Sequence, residues 1–147
     1  MRDASVRRWS AFHRLVYRLT GGLVGRRLAD NDVLLLTTRG HITGRRHTVP
    51  LLYLRDGERL VVIASYGGRA QHPTWYRNLV YQPSVEVQVE GVYVPMTARP
   101  ATGTERSEWW PRVVAAYEGY ATYQARTDRV IPVVFLEPGD RSEDRAD

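Results

Sequence analysis

From Asp32 onward, apolar residues come in short runs broken by glycine, proline and charge, a spacing that predicts strands more than helices. Val33 to Thr38 (VLLLTT) is continuous and short enough for a buried strand. The glycine-bounded turn GHITGRR follows, and Thr48 to Leu54 (TVPLLYL) reads as the return strand. Pro50 has no N–H to give a central ladder, so it belongs on an edge or at a bulge. Asp56-Gly57 signals a hairpin into Leu60 to Ala64. Val85, Val87 and Val89 alternate with polar residues, Glu90-Gly91 turns the chain, and Val92, Val94 and Met96 alternate again. That is the signature of a half-buried antiparallel pair. A last strand is expected over Val130 to Leu136.

Between the strands the period changes. The stretch LVVIASYGGRAQHPTWYRNL, residues 60 to 79, passes from strand to a Gly67-Gly68 turn and then to a helix opened by Pro73. Trp75, Tyr76 and Leu79 give that helix a bulky face. The turn is either a tight connection or a binding loop, since it leaves several backbone N–H groups free. Thr102 to Glu105 forms a capping box for a helix running to Tyr117, with a kink or break expected at Pro111. Tyr117, Tyr120 and Tyr123 follow at three-residue steps and predict one side of a helix. Ahead of all this, Val6, Trp9, Phe12, His13, Val16 and Leu19 recur at helical spacing, with Arg7, Arg8, Arg14 and Arg18 mostly between them. The expected architecture is mainly β (α+β): an antiparallel barrel of about six strands with flanking helices. One domain spans 28–138, after a basic amphipathic helix at 1–27 and before a disordered tail at 139–147.

Composition removes several chemistries. The chain has 147 residues, enough for one core, and no cysteine, which excludes disulfides, thiolate metal sites and cysteine nucleophiles. His13, His41, His47 and His72 lack metal-binding spacing, so no metal is expected. The charge of +5 is uneven: residues 1–27 hold seven arginines against one aspartate, and the rest fourteen arginines against fifteen acids. A near-neutral body argues against nucleic acid. The basic N-terminal helix either packs on the body or lies in an anionic membrane surface, and it is too often interrupted by arginine to span one.

The stretch from Leu34 to Pro138 resembles the deazaflavin-dependent nitroreductases, which use the 5-deazaflavin coenzyme F-420. The likeness is carried by LLTTRG, VPLLYL, ASYGG, HPTWYRNL and the series WP…Y..Y..YQ..TDR.IPVV, in that order and spacing. It implies a split β-barrel of the flavin-reductase or FMN-binding kind. It also implies that the turn of His41, Ile42, Thr43, Gly44, Arg45, Arg46 and His47 helps hold the coenzyme's phosphate and oligoglutamate tail. Val49 and Pro50 would wall the ring. Ile63, Ala64, Ser65, Tyr66, Gly67 and Gly68 would lie against the deazaflavin, with Thr74, Trp75, Asn78 and Tyr120 contributing. Two positions depart from the family pattern. His41-Ile42 stands where an Arg-Lys pair is common, and Tyr66 where lysine often precedes the two glycines.

The reaction the resemblance implies is hydride transfer from reduced F-420 to a quinone or nitroaromatic compound. Tyr53, Tyr117, Tyr120 and Tyr123, with Ser65, correspond to the acceptor pocket, offering stacking faces and hydroxyl groups. From the residues alone these tyrosines read first as core packing, and it is the resemblance that puts the pocket role ahead. No strictly catalytic residue is expected. The runner-up cofactor is FMN on the same fold, and a non-catalytic carrier of coenzyme or lipid is a further alternative. The expected state is a monomer or homodimer in the cytoplasm, peripheral on the inner face of the membrane.

Overall fold

A computed structural model describes residues 33–139 of the chain. Its strands are β1 (Val33–Arg39), β2 (Arg46–Leu52), β3 (Leu54–Asp56), β4 (Arg59–Ile63), β5 (Ser84–Val89), β6 (Val92–Pro100) and β7 (Val133–Pro138). Helix α1 (Thr74–Tyr81) joins β4 to β5, while α2 (Gly103–Ala116) and α3 (Gly119–Ala125) lie between β6 and β7. The 1–27 segment and residues 140–147 of the tail lie outside the described residues.

All pairings are antiparallel, in the order β2-β1-β5-β6-β7-β4-β3. β2 and β3 stand at opposite edges of that order, yet only Tyr53 separates them in sequence. The sheet therefore curls into a half-barrel whose two edges are joined by the chain itself. This splits the single return strand expected over Thr48 to Leu54 and raises the strand count from about six to seven. The cause is geometric: one segment cannot pair with β1 and β4 along the same ladder, so it changes partner at Tyr53, a buried corner.

Local chemistry sets the register. Glu90 and Gly91 both have positive φ, +52° and +81°, between the paired Val89 and Val92. This is the primed turn whose twist matches antiparallel strands. Pro50 lies on the edge strand β2, opposite Leu35. β4 and β7 are buried on both faces, which is why their apolar runs are continuous. Val61, Ile63, Val133 and Phe135 pack under Trp109, Val113, Tyr117 and Tyr120 from the α2–α3 side. Leu60, Val62, Val134 and Leu136 pack with Leu34, Leu36, Trp75 and Leu79.

Of the kink or break expected at Pro111, the break does not occur: helix α2 continues through it. The interruption falls at Tyr117, whose φ of −144° is extended. Tyr117 therefore ends α2 while Tyr120 and Tyr123 lie on α3, although their rings still meet edge-to-face at 5.9 and 6.3 Å. The N-terminus of α2 carries the expected capping box: Glu105 N–H donates to Thr102 Oγ1, and Thr102 N–H donates to Glu105 Oε1. Thr102→Ala should lower stability by about 1 kcal/mol, read from the midpoint of chemical denaturation.

Candidate functional site

Strand β2, the end of β4, the turn after it, the start of α1 and part of α3 enclose a cleft of about 620 Å³. That volume suits a small organic ligand or cofactor. Val49, Pro50, Leu51, Leu52, Ile63 and Trp75 supply apolar lining. Ser65, Tyr66, Gly67, Tyr120 and Tyr123 supply hydroxyls, rings and backbone, and His47, Arg69, Arg126, Pro73 and Thr74 complete the lining. Among the described residues its lining contains two arginines and no carboxylate.

The turn after β4 is left-handed over three residues, with φ of +48° at Tyr66, +64° at Gly67 and +79° at Gly68. Tyr66 holds a conformation that non-glycine residues seldom adopt. Gly68 is required twice over: by its φ, and because a Cβ there would stand 2.5 Å from the Tyr123 carbonyl oxygen. The turn is gripped from behind by Arg129. Its guanidinium donates to the carbonyl oxygens of Ala64 (3.0 Å), Ser65 (2.8 Å) and Arg69 (3.1 Å) and to Nδ1 of His72 (3.0 Å). Burial, then the charges of Arg129 and Arg77, lower the His72 pKa, so the imidazole stays neutral and Nδ1 accepts. Gln124 braces the segment carrying Arg129. Its Nε2 donates to the Arg129 carbonyl (2.7 Å), and its Oε1 accepts from Ile131 N–H (2.9 Å) and Arg106 (2.9 Å).

Of the residues expected at the coenzyme, His47, Val49, Pro50, Ile63, Ser65, Tyr66, Gly67, Thr74, Trp75 and Tyr120 meet in this cleft, together with Tyr123 from the acceptor set. Ala64 and Gly68 are buried beside it. The residues from His41 to Arg46 form a separate exposed turn, closed by hydrogen bonds between Gly40 N–H and Arg45 O and between Gly44 N–H and Gly40 O, each 2.8 Å. Ile42 is 86% exposed at its tip, and Arg46 is ion-paired with Glu86. Buried Asn78 ties that turn to α1: its Oδ1 accepts from His41 N–H (3.0 Å), and its Nδ2 donates to Thr38 Oγ1 (3.1 Å). Tyr53 sits at the β2–β3 corner and Tyr117 in the core beneath α2, both outside the cleft lining. The expectation omitted Arg69, Arg126 and the brace Arg129, although Arg129 lies within the TDR of the C-terminal motif.

A model of the F-420H(2)-dependent quinone reductase family matches residues 9–138. The chain belongs to that family. A relative named as an F-420H(2)-dependent quinone reductase, from Mycobacterium tuberculosis, is 38% identical over 128 residues, covering 84% of this chain and 86% of its own. A solved F-420H(2)-dependent reductase, FDR-A, superposes with a TM-score of 0.66 at 41% identity, covering 72% of this chain and 94% of its own. A second structure, described as a domain-swapped dimer, matches at TM-score 0.67 and 36% identity, over 93% of this chain and all of its own. The chain is thus an oxidoreductase of the split-barrel fold. None of these relatives supports the FMN alternative.

The cleft fits the family's coenzyme. A flat ring needs apolar walls, which Val49, Pro50, Ile63 and Trp75 provide. No side chain caps the first turn of α1, whose Thr74 and Trp75 border the cleft, so helix-terminal N–H groups are available to an anion or carbonyl. Burial raises the pKa of Tyr123 and pushes that of Tyr120 far up, so both hydroxyls keep their protons at neutral pH. Among the described residues no group of three potential metal ligands comes together.

The two turn glycines should respond differently to alanine. Nothing lies within 4 Å of a Cβ placed on Gly67, so Gly67→Ala costs only its left-handed backbone, about 1 kcal/mol. Gly68→Ala adds a clash with the Tyr123 backbone and should cost well above 2 kcal/mol on that scale, with loss of coenzyme binding. Thermal denaturation and coenzyme titration of the two variants check this.

Proposed function

We propose that this reductase passes a hydride from reduced F-420 to quinones and to nitroaromatic compounds, working at an anionic membrane surface. The observation that carries the reading is the cleft of a family member that joins an apolar slot (Val49, Pro50, Trp75) to two protonated tyrosine hydroxyls on α3. When bound, the reduced deazaflavin supplies a hydride from its C-5 position, and a quinone that takes this hydride and one proton becomes a hydroquinone. The protein's part is alignment and hydrogen bonding. Trp75 and Pro50 hold the ring system flat. Ser65, Tyr120 and Tyr123 donate to the oxygen that gains charge as the acceptor is reduced. His47 continues from the cleft toward the exposed 41–46 turn, where Arg45 is a cation for the coenzyme's anionic tail while Arg46 is engaged by Glu86.

Titration of the purified protein, followed by tryptophan fluorescence, should show F-420 binding at least about tenfold more tightly than FMN, a gap of about 1.4 kcal/mol. Stoichiometric FMN with no response to F-420 would overturn the cofactor assignment. Binding of F-420 with no turnover of any quinone or nitroaromatic would favour a carrier.

The membrane part rests on the basic amphipathic pattern of residues 1–27. No helix among the described residues is long and apolar enough to cross a membrane. Each arginine near an anionic surface contributes about 1 kcal/mol. Full-length protein should therefore co-sediment with anionic vesicles, and replacing Arg7, Arg8, Arg14 and Arg18 by glutamine should largely release it without changing F-420 binding. Equal sedimentation of the two proteins would refute the surface contact and leave the cleft chemistry standing.

A further inference from the structure

Two cations in the cleft have no role in the reading above. Arg69 follows the left-handed turn and Arg126 ends α3, and both line the cavity. Their starting points are neighbours, because a Cβ on Gly68 would lie 3.0 Å from Arg126 Cβ. Each guanidinium sits over a tyrosine that also lines the cleft: Arg69 is 4.6 Å from the Tyr66 ring centre and Arg126 is 5.6 Å from that of Tyr123. Stacking occupies the flat face of a guanidinium and leaves its N–H edge available. Four other arginines find acids: Arg46 with Glu86, Arg55 with Glu90, Arg59 with Asp56, and Arg99 with Glu105 and Glu137, while Arg106 and Arg129 are taken up by carbonyl oxygens. Neither Arg69 nor Arg126 has a carboxylate partner among the described residues, and the lining holds none.

We propose that Arg69 and Arg126 form an anion subsite beside the acceptor tyrosines, which makes this enzyme favour quinones or nitroaromatics bearing a carboxylate or sulfonate. The proposal rests on the hydride-transfer reading. Two guanidinium groups on exposed residues lining one concave, partly apolar cleft, with no carboxylate in its lining among the described residues, create a positive field that favours an anionic ligand. The acceptor is the preferred source of that anion over the coenzyme tail. Arg126 lies three residues beyond Tyr123, whose hydroxyl is assigned to the acceptor oxygen, whereas the 41–46 turn given to the tail follows β1 and leads into β2.

The test uses full-length protein and the variant R69Q/R126Q. With reduced F-420, the ratio of kcat/KM for a sulfonated naphthoquinone to that for its unsubstituted parent should fall by about tenfold or more in the variant. R69K/R126K, which keeps the charges, should retain most of the preference. In the absence of coenzyme, 2-naphthalenesulfonate should quench tryptophan fluorescence with an affinity that declines as salt rises, and should bind the glutamine variant about tenfold more weakly. An unchanged acceptor ratio, or sulfonate binding indifferent to salt, overturns the proposal. So does a loss of affinity for intact F-420 with none for its tail-less deazaflavin, since the pair would then hold the tail. If wild-type protein reduces neither naphthoquinone, the hydride-transfer reading fails, while the naphthalenesulfonate titration still decides whether the subsite exists.

Discussion

The guanidinium of Arg129 donates to the carbonyls of Ala64, Ser65 and Arg69 and to His72, and the shape of the cleft follows from those bonds. A left-handed run through Tyr66, Gly67 and Gly68 turns flanking carbonyls away from any sheet ladder, and partly buried carbonyls need donors. One planar group with five N–H bonds in a fixed fork serves several of them at once, where a lysine would supply a single point of charge. With that grip in place, Ser65 and Tyr66 face the cavity and Gly68 closes against α3. Arg129 is itself held through Gln124, and Gln124 through Arg106 on α2. The cleft is therefore coupled to the helical side of the barrel by a chain of hydrogen bonds as well as by the α3 tyrosines that line it.

The strands were legible because they obey simple periods. β5 and β6 alternate, β4 and β7 are continuous because both their faces are covered, and the Glu90-Gly91 turn needs positive φ at both positions. The change of edge at Tyr53 was not legible. VPLLYL reads as one strand, since a residue that leaves one ladder and enters another keeps the same apolar neighbours on either side. The division of Tyr117 from Tyr120 and Tyr123 was hidden for a similar reason. The three-residue step suits one helix, and Tyr117 itself carries no breaker, although Gly119 two residues on marks the start of α3, while Pro111 is accommodated within α2.

The site was legible where a residue type implies its use: Gly68, Trp75 and the α3 tyrosines. Arg129 stands in the TDR of the C-terminal motif, yet its role there was hidden, because its partners are mostly backbone carbonyls and backbone contacts leave no trace in composition. The same blindness affects charge. Arg45 and Arg46 look equivalent in sequence, yet only one of them meets Glu86, which lies 40 residues away and is brought near by the pairing of β1 with β5.

The two sides of the cleft thus differ in what they offer a reacting pair. β2 and the start of α1 give apolar faces and helix-terminal N–H groups, which under the proposed reading would align a ring without competing for its protons. The turn and α3 give hydroxyls and guanidinium edges. Tyr120 is only 5% exposed and its ionisation is strongly opposed by burial, with the neighbouring Tyr117 and Tyr123 adding to the penalty. A phenol in that position serves as a fixed hydrogen-bond donor and a poor proton source. Such a donor strengthens as negative charge builds on the acceptor oxygen and changes little in the ground state, which is the condition for accelerating the transfer itself. Under the proposed hydride transfer, final protonation of the reduced oxygen would fall to solvent, in keeping with the lack of any carboxyl group in the cleft lining among the described residues.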